Sequence, residues 1–163
     1  AEVMTVALPA VWFFSGNFEK SRGFLLEEGY IAPMLSRSRL NRRLHSIEEE
    51  VWLALFDLFA RTFKLTNPDK AYIVDSFPVP VCDNIRIGRC HLYQNEAYRG
   101  YIASKRRYFY GLRGHLIISN PGQPVEFMLA PGAWNACRGF KQFHLDLPEG
   151  STVYADKSYT DYV

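Results

Sequence analysis

The sequence predicts an α+β/α/β chain, with an N-terminal helical region followed by a strand-rich region, and three observations predict it. Apolar side chains recur at helical spacing through residues 1–66. Short β-favouring runs separated by turn residues begin at Ala71. Between them, Asn67-Pro68-Asp69 breaks one pattern from the other, dividing the chain into regions 1–66 and 71–163. The length, 163 residues, suits one domain with a small appendage, and 48% apolar with 22% charged residues is a globular composition. Three cysteines exclude a disulfide scaffold and fit a reducing cytoplasm. The uncharged run Val3–Asn17 is too short to span a membrane and has no basic segment before it, so no membrane partner is expected.

The helical region is read as three helices. The first, up to Phe14, is apolar nearly all round, as a buried helix is, with Pro9 bending or dividing it. Asn17 caps a second helix that turns Phe18, Leu25 and Leu26 inward and stops near Gly29. A third starts after Ser36 and carries Leu40, Leu44, Ile47, Val51, Leu55 and Leu58 along one face. Beyond the break, Ala71–Val74 is a short strand ending on Asp75, and the prolines of Phe77–Val81 mark either extended chain at a sheet edge or irregular chain. Tyr108–Ser119 is a long strand with Gly111 and Gly114 as bulge positions. Asn120-Pro121-Gly122 turns it into a return strand over Val125–Leu129. A short helix over Asn135–Phe143 and a strand over Thr152–Ala155, ending on Asp156, complete the order strand, hairpin, helix, strand. That order is the first half of a ribonuclease H-like fold, in which the first and last of these strands lie parallel and side by side.

Two strands that end in aspartate are the chemical signal. If they are neighbours, Asp75 and Asp156 lie close together, and two carboxylates at short range must share a proton or a cation. Hard oxygen donors with open positions suit Mg2+ or Mn2+, which support phosphodiester cleavage. The plainer alternative is that each aspartate caps a strand-to-loop turn.

Charge is the second signal. Seven bases and one acid fall between Asn84 and Val125, a local excess of six within a chain of net charge +2. Lys105, Arg106 and Arg107 there are interleaved with tyrosines, a composition that holds phosphates and stacks on bases. Arg37, Arg39, Arg42 and Arg43 form another cluster, in the first two turns of the third helix, where the helix dipole opposes them unless a phosphate partner binds. Glu48, Glu49 and Glu50 are alternative partners one turn later. Cys82, Cys90 and His91 match no common zinc spacing, and His115 reads as a satisfied core or groove residue rather than a catalytic base.

These motifs resemble those of bacterial insertion-sequence transposases, specifically insertion-sequence family 982. The resemblance rests on YIVDSFPVPVCDNIRI (72–87), YRGYIASKRRYFYGLRGHLIIS (98–119), LPEGSTVYADKSYTDY (147–162) and the upstream SRSRLNRRLHSI (36–47). It implies a ribonuclease H-like catalytic domain with an Asp-Asp-Glu triad and two Mg2+ (or Mn2+) ions. Asp75 and Asp156 would be the first two acids and metal ligands, with Lys157 beside the DNA. The third acid lies downstream in the family, so a fragment or decayed copy with an incomplete fold is expected. The chain also has Ala136 where the family often has Asp. The full protein would cut and join double-stranded DNA at terminal inverted repeats, as a cytoplasmic, nucleoid-associated bacterial protein and a candidate homodimer. An inert DNA-binding module and a ribonuclease H-like nuclease are the alternative readings.

Overall fold

A computed structural model describes residues 2–160 and divides into two compact units, one up to Leu55 and one from Phe56 onward. None of its helices among the described residues is long and apolar enough to cross a membrane.

The first unit holds helices α1 (Glu2–Phe14), α2 (Phe18–Glu27) and α3 (Arg37–His45) and the start of α4 (Glu49–Leu65). α1 continues through Pro9 without a break. Only Val6, Ala7 and Ala10 of this helix are buried, and Trp12 is 83% exposed, so α1 is not the fully buried helix its composition suggests. Its Val6 packs with Leu25, Ile31 and Leu40 in a small core. As expected, Asn17 caps α2, its side chain accepting from the Lys20 N–H at 3.0 Å.

The expected third helix is two helices. Apolar spacing continues unbroken through residues 46–48, but the backbone does not. Ser46 closes α3, its N–H bonding the carbonyls of Arg42, Arg43 and Leu44 and its hydroxyl donating to Arg43 at 2.9 Å. The split reverses the electrostatic argument for Arg42 and Arg43, while Arg37 and Arg39 stay in the first turn of α3, where the dipole opposes them. Arg42, Arg43 and His45 occupy the last turn of α3 and Glu49 and Glu50 the first turn of α4, each where the helix dipole favours its charge.

The second unit is a five-stranded sheet with its helical cover. The strands are β1 (Ala71–Asp83), β2 (Arg99–Ile102), β3 (Arg107–Ser119), β4 (Pro124–Pro131) and β5 (Thr152–Tyr154). β3 pairs antiparallel with β1 on one side and with β2 and β4 on the other. β5 pairs parallel with β1 over Ala71–Ile73 only, as the ribonuclease H-like order requires. The short helix α5 (Ala136–Phe140) lies between β4 and β5, capped by the Asn135 side chain. Alternation along β1 buries Tyr72 and Val74 and exposes Ile73 and Asp75. Tyr72, Val74, Ile117 and Val125 form the core, closed by Phe63, Phe140, Phe143, Leu147, Val153 and Tyr159. At the far end, Phe109 is fully buried, its ring lying across its register partner Gly100, where a Cβ would come within 2.4 Å of the ring.

β1 does not end at Asp75 but runs eight residues further. Pro78 and Pro80 are accommodated because of the side their nitrogens face. The Lys70 carbonyl accepts from Thr152 and the Ala71 carbonyl from Asn120, so even-numbered residues of β1 face β5 and odd-numbered ones face β3. Past Ile73, β5 has ended, and the prolines lack only N–H groups that would have had no strand to bond. One register irregularity follows, between Pro80 and Cys82, so the bulge lies in β1 and Gly111 sits opposite it; Gly114 pairs regularly with Phe77.

Candidate active site

The last register pair of the parallel strands is Ile73 with Tyr154, and Asp75 and Asp156 each lie two residues beyond it. Residues level with one another on parallel strands point to the same face. The sheet therefore brings the two acids to one end of the β1–β5 pair. Asp75 lies within β1, opposite Leu116 of β3, and Asp156 lies just past β5, where it opens the 3-10 turn Lys157–Tyr159.

Each carboxylate is oriented by a serine that follows it. Asp75 Oδ1 accepts from the Ser76 N–H at 2.7 Å. Asp156 Oδ1 accepts from the Ser158 N–H at 2.9 Å and from the Ser158 hydroxyl. Both aspartates are exposed. The arrangement is two solvent-facing acids, each with one oxygen engaged by its own chain. This is also the turn-capping geometry of the plainer reading, and for Asp156 both descriptions hold.

Tyr159 ties the two acids to the sheet. Its ring packs edge-on against Phe140 at 5.9 Å and joins the core. Burial pushes its phenol up to about 12; the Ser76 hydroxyl opposes this, Asp75 and Asp156 both add to it, and Arg113 opposes it. Both carboxylates and Arg113 thus act on one phenol. Sequence reasoning counted Arg113 in the basic, tyrosine-rich stretch and Tyr159 in the third resembling motif, but placed neither of them, nor Ser76, beside the acids. Tyr159 does stand at a fixed step after Asp156 in the quoted DKSY motif, which was a usable signal.

His115 departs from the expected satisfied core residue. It is fully buried, yet neither ring nitrogen has a hydrogen-bond partner. Burial lowers its pKa and the Arg113 charge lowers it further, both favouring the neutral ring. α5 closes over it at Gly139, where a Cβ would stand 2.1 Å from the ring.

The basic residues fall into separate places. Arg37, Arg39, Arg42 and Arg43 are all exposed on α3 in the first unit, and none forms an ion pair with Glu48, Glu49 or Glu50 among the described residues. Lys105 and Arg106 stand exposed at the turn into β3, Arg106 in the left-handed conformation at φ 48°. Arg107 differs from them in pairing with Asp83 at 3.3 Å. Lys157, directly after Asp156, is exposed.

The donor chemistry fits a hard divalent cation held by two carboxylates, with water or substrate oxygens completing its shell. No group of three or more His, Cys, Asp or Glu side chains suited to a metal gathers among the described residues.

A family model described as the transposase DDE domain matches residues 65–162, which spans the whole sheet and both acids. No curated protein and no solved structure matches the chain.

Proposed function

Because the chain belongs to the transposase DDE-domain family, we propose that its second unit supplies the first two acids of a cation-dependent centre that cuts and joins DNA at transposon ends. The observation that carries this reading is the register that sets Asp75 and Asp156 level at the end of the parallel pair. In it, Asp75 and Asp156 hold Mg2+ or Mn2+, which would activate the attacking oxygen and stabilise the leaving one. The chain's own contribution is positional. Ser76 and Ser158 fix the orientation of the carboxylates before any ligand arrives, and Tyr159 anchors the turn that carries Asp156.

The helical region 1–66 is assigned to DNA capture, with Arg37, Arg39, Arg42 and Arg43 on phosphates or guanine edges and Lys105, Arg106, Arg107 and Lys157 as phosphate contacts. Four exposed arginines on α3, none of them in an ion pair among the described residues, also favour a second reading, a DNA-binding module with no cleavage of its own. Titration with Mn2+ beside duplex binding separates the two: duplex binding with a Mn2+ site that Asp75→Ala abolishes supports the transposase centre, duplex binding with no carboxylate-dependent Mn2+ site supports the inert module, and no duplex binding rules out both. Arg42→Ala and Arg43→Ala are each expected to flatten the log-affinity against log-salt slope by about 0.9. An unchanged slope would remove α3 from the DNA interface.

A further inference from the structure

We propose that Arg113 binds a phosphodiester group of the DNA strand that passes Asp75, with the hydroxyls of Ser76 and Tyr159 as its co-donors. This rests on the transposase reading and adds to it a substrate-holding group.

Arg113 carries a charge that lacks an acid partner among the described residues. Arg113 lies in β3, flanked on both sides by other strands, and burial lowers its pKa without neutralising it. Partly buried bases elsewhere in the unit have acids. Lys64 pairs with Glu126 at 2.7 Å and Arg99 with Glu96 at 3.5 Å. Arg113 pairs with no acid among the described residues, and the one group acting on its charge is the Tyr159 phenol. A desolvated guanidinium without a counter-charge is costly, and such a group is kept where something anionic completes it.

The neighbours are donors as well. Of the five N–H groups of Arg113, one reaches the Ser76 hydroxyl at 3.5 Å and one the Tyr101 carbonyl at 3.4 Å, both long. Its Nε is buried with no partner, and the buried Tyr159 hydroxyl faces the Ser76 hydroxyl without a hydrogen bond of good geometry. Ser76 accepts from Arg113, which leaves its own O–H to donate. Three side chains therefore converge with hydrogens to give and too few acceptors, and a phosphodiester offers anionic oxygens to all of them. Access comes from the sheet. The register partner of Arg113 is Pro78, on the stretch of β1 that β5 leaves uncovered. Ser76, whose N–H orients Asp75, links this site to the acids.

The test measures binding of a short duplex as a function of salt for the unsubstituted chain, Arg113→Gln and Arg113→Lys, with thermal melting to confirm folding. Arg113→Gln is expected to flatten the slope by about 0.9 and Arg113→Lys to restore it, because the slope counts charges that meet phosphate. In the unsubstituted chain, the Arg113 Nε–Hε resonance is expected to shift when duplex is added and to stay put with Mn2+ alone. This second measurement decides the matter if Arg113→Gln does not fold. Duplex bound with an unaltered slope, or an unmoved resonance, would overturn the proposal and leave the transposase reading intact. Failure of the unsubstituted chain to bind duplex would overturn both.

Discussion

Asp75→Asn is expected to weaken Mn2+ binding by more than about 100-fold, and Asp156→Asn by a comparable factor. Loss of a group that merely orients a metal ligand typically costs 10–100-fold. Removing the charge of a ligand itself, in a centre that has only two carboxylates among the described residues, should cost more. Asparagine keeps the size of the side chain and one oxygen, so the fold should survive; Asp75 is exposed and buries nothing. Ser158→Ala is the graded control. It removes the hydroxyl contact to Asp156 but keeps the N–H contact at 2.9 Å, so its effect should be much smaller. Calorimetric titration with Mn2+ reads all three. Equal affinity in Asp75→Asn and the unsubstituted chain would remove Asp75 from the site.

The largest stability effect is expected at the other end of the sheet. Phe109→Ala should cost about 3–5 kcal/mol, the range for deleting a fully buried aromatic ring. The ring fills the space over Gly100, which has no side chain of its own to take the ring's place. Gly100→Ala approaches the same contact from the opposite strand. Its Cβ would meet the ring at 2.4 Å and the Gly132 carbonyl at 2.5 Å, so overpacking should cost about 1–3 kcal/mol. Denaturant unfolding of the two variants measures both. A loss below about 1 kcal/mol in Phe109→Ala would mean that this end of the sheet is not close-packed.

Much of the architecture could be read from local chemistry. Asn17 marked the start of α2 because an Asx cap leaves a sequence signature, and Asn120-Pro121-Gly122 marked the β3–β4 hairpin, with Gly122 at φ 88° supplying the turn. The parallel pairing of β1 with β5 followed from element order. What failed depended on non-local information. Leu40, Leu44, Ile47 and Val51 keep helical spacing across the α3–α4 break, so periodicity alone could not reveal it. Pro78 and Pro80 look like strand breakers until it is known which side of β1 has lost its neighbour. The same ignorance of pairing placed Asp75 at a strand end when it lies inside one. The meeting of Ser76 with Arg113 was not legible because it depends on the β1–β3 register, across 37 residues of sequence.

Asp75 and Asp156 are expected to hold one cation between them. Paramagnetic broadening by Mn2+ tests it most directly. Substoichiometric Mn2+ is added to isotope-labelled chain, and the amide signals of Ser76, Asp156 and Ser158 are followed. All three should broaden together, and Asp75→Asn should abolish the broadening at Asp156 and Ser158 as well as at Ser76. Broadening confined to one strand, or persisting at Asp156 in the Asp75 variant, would contradict a shared site.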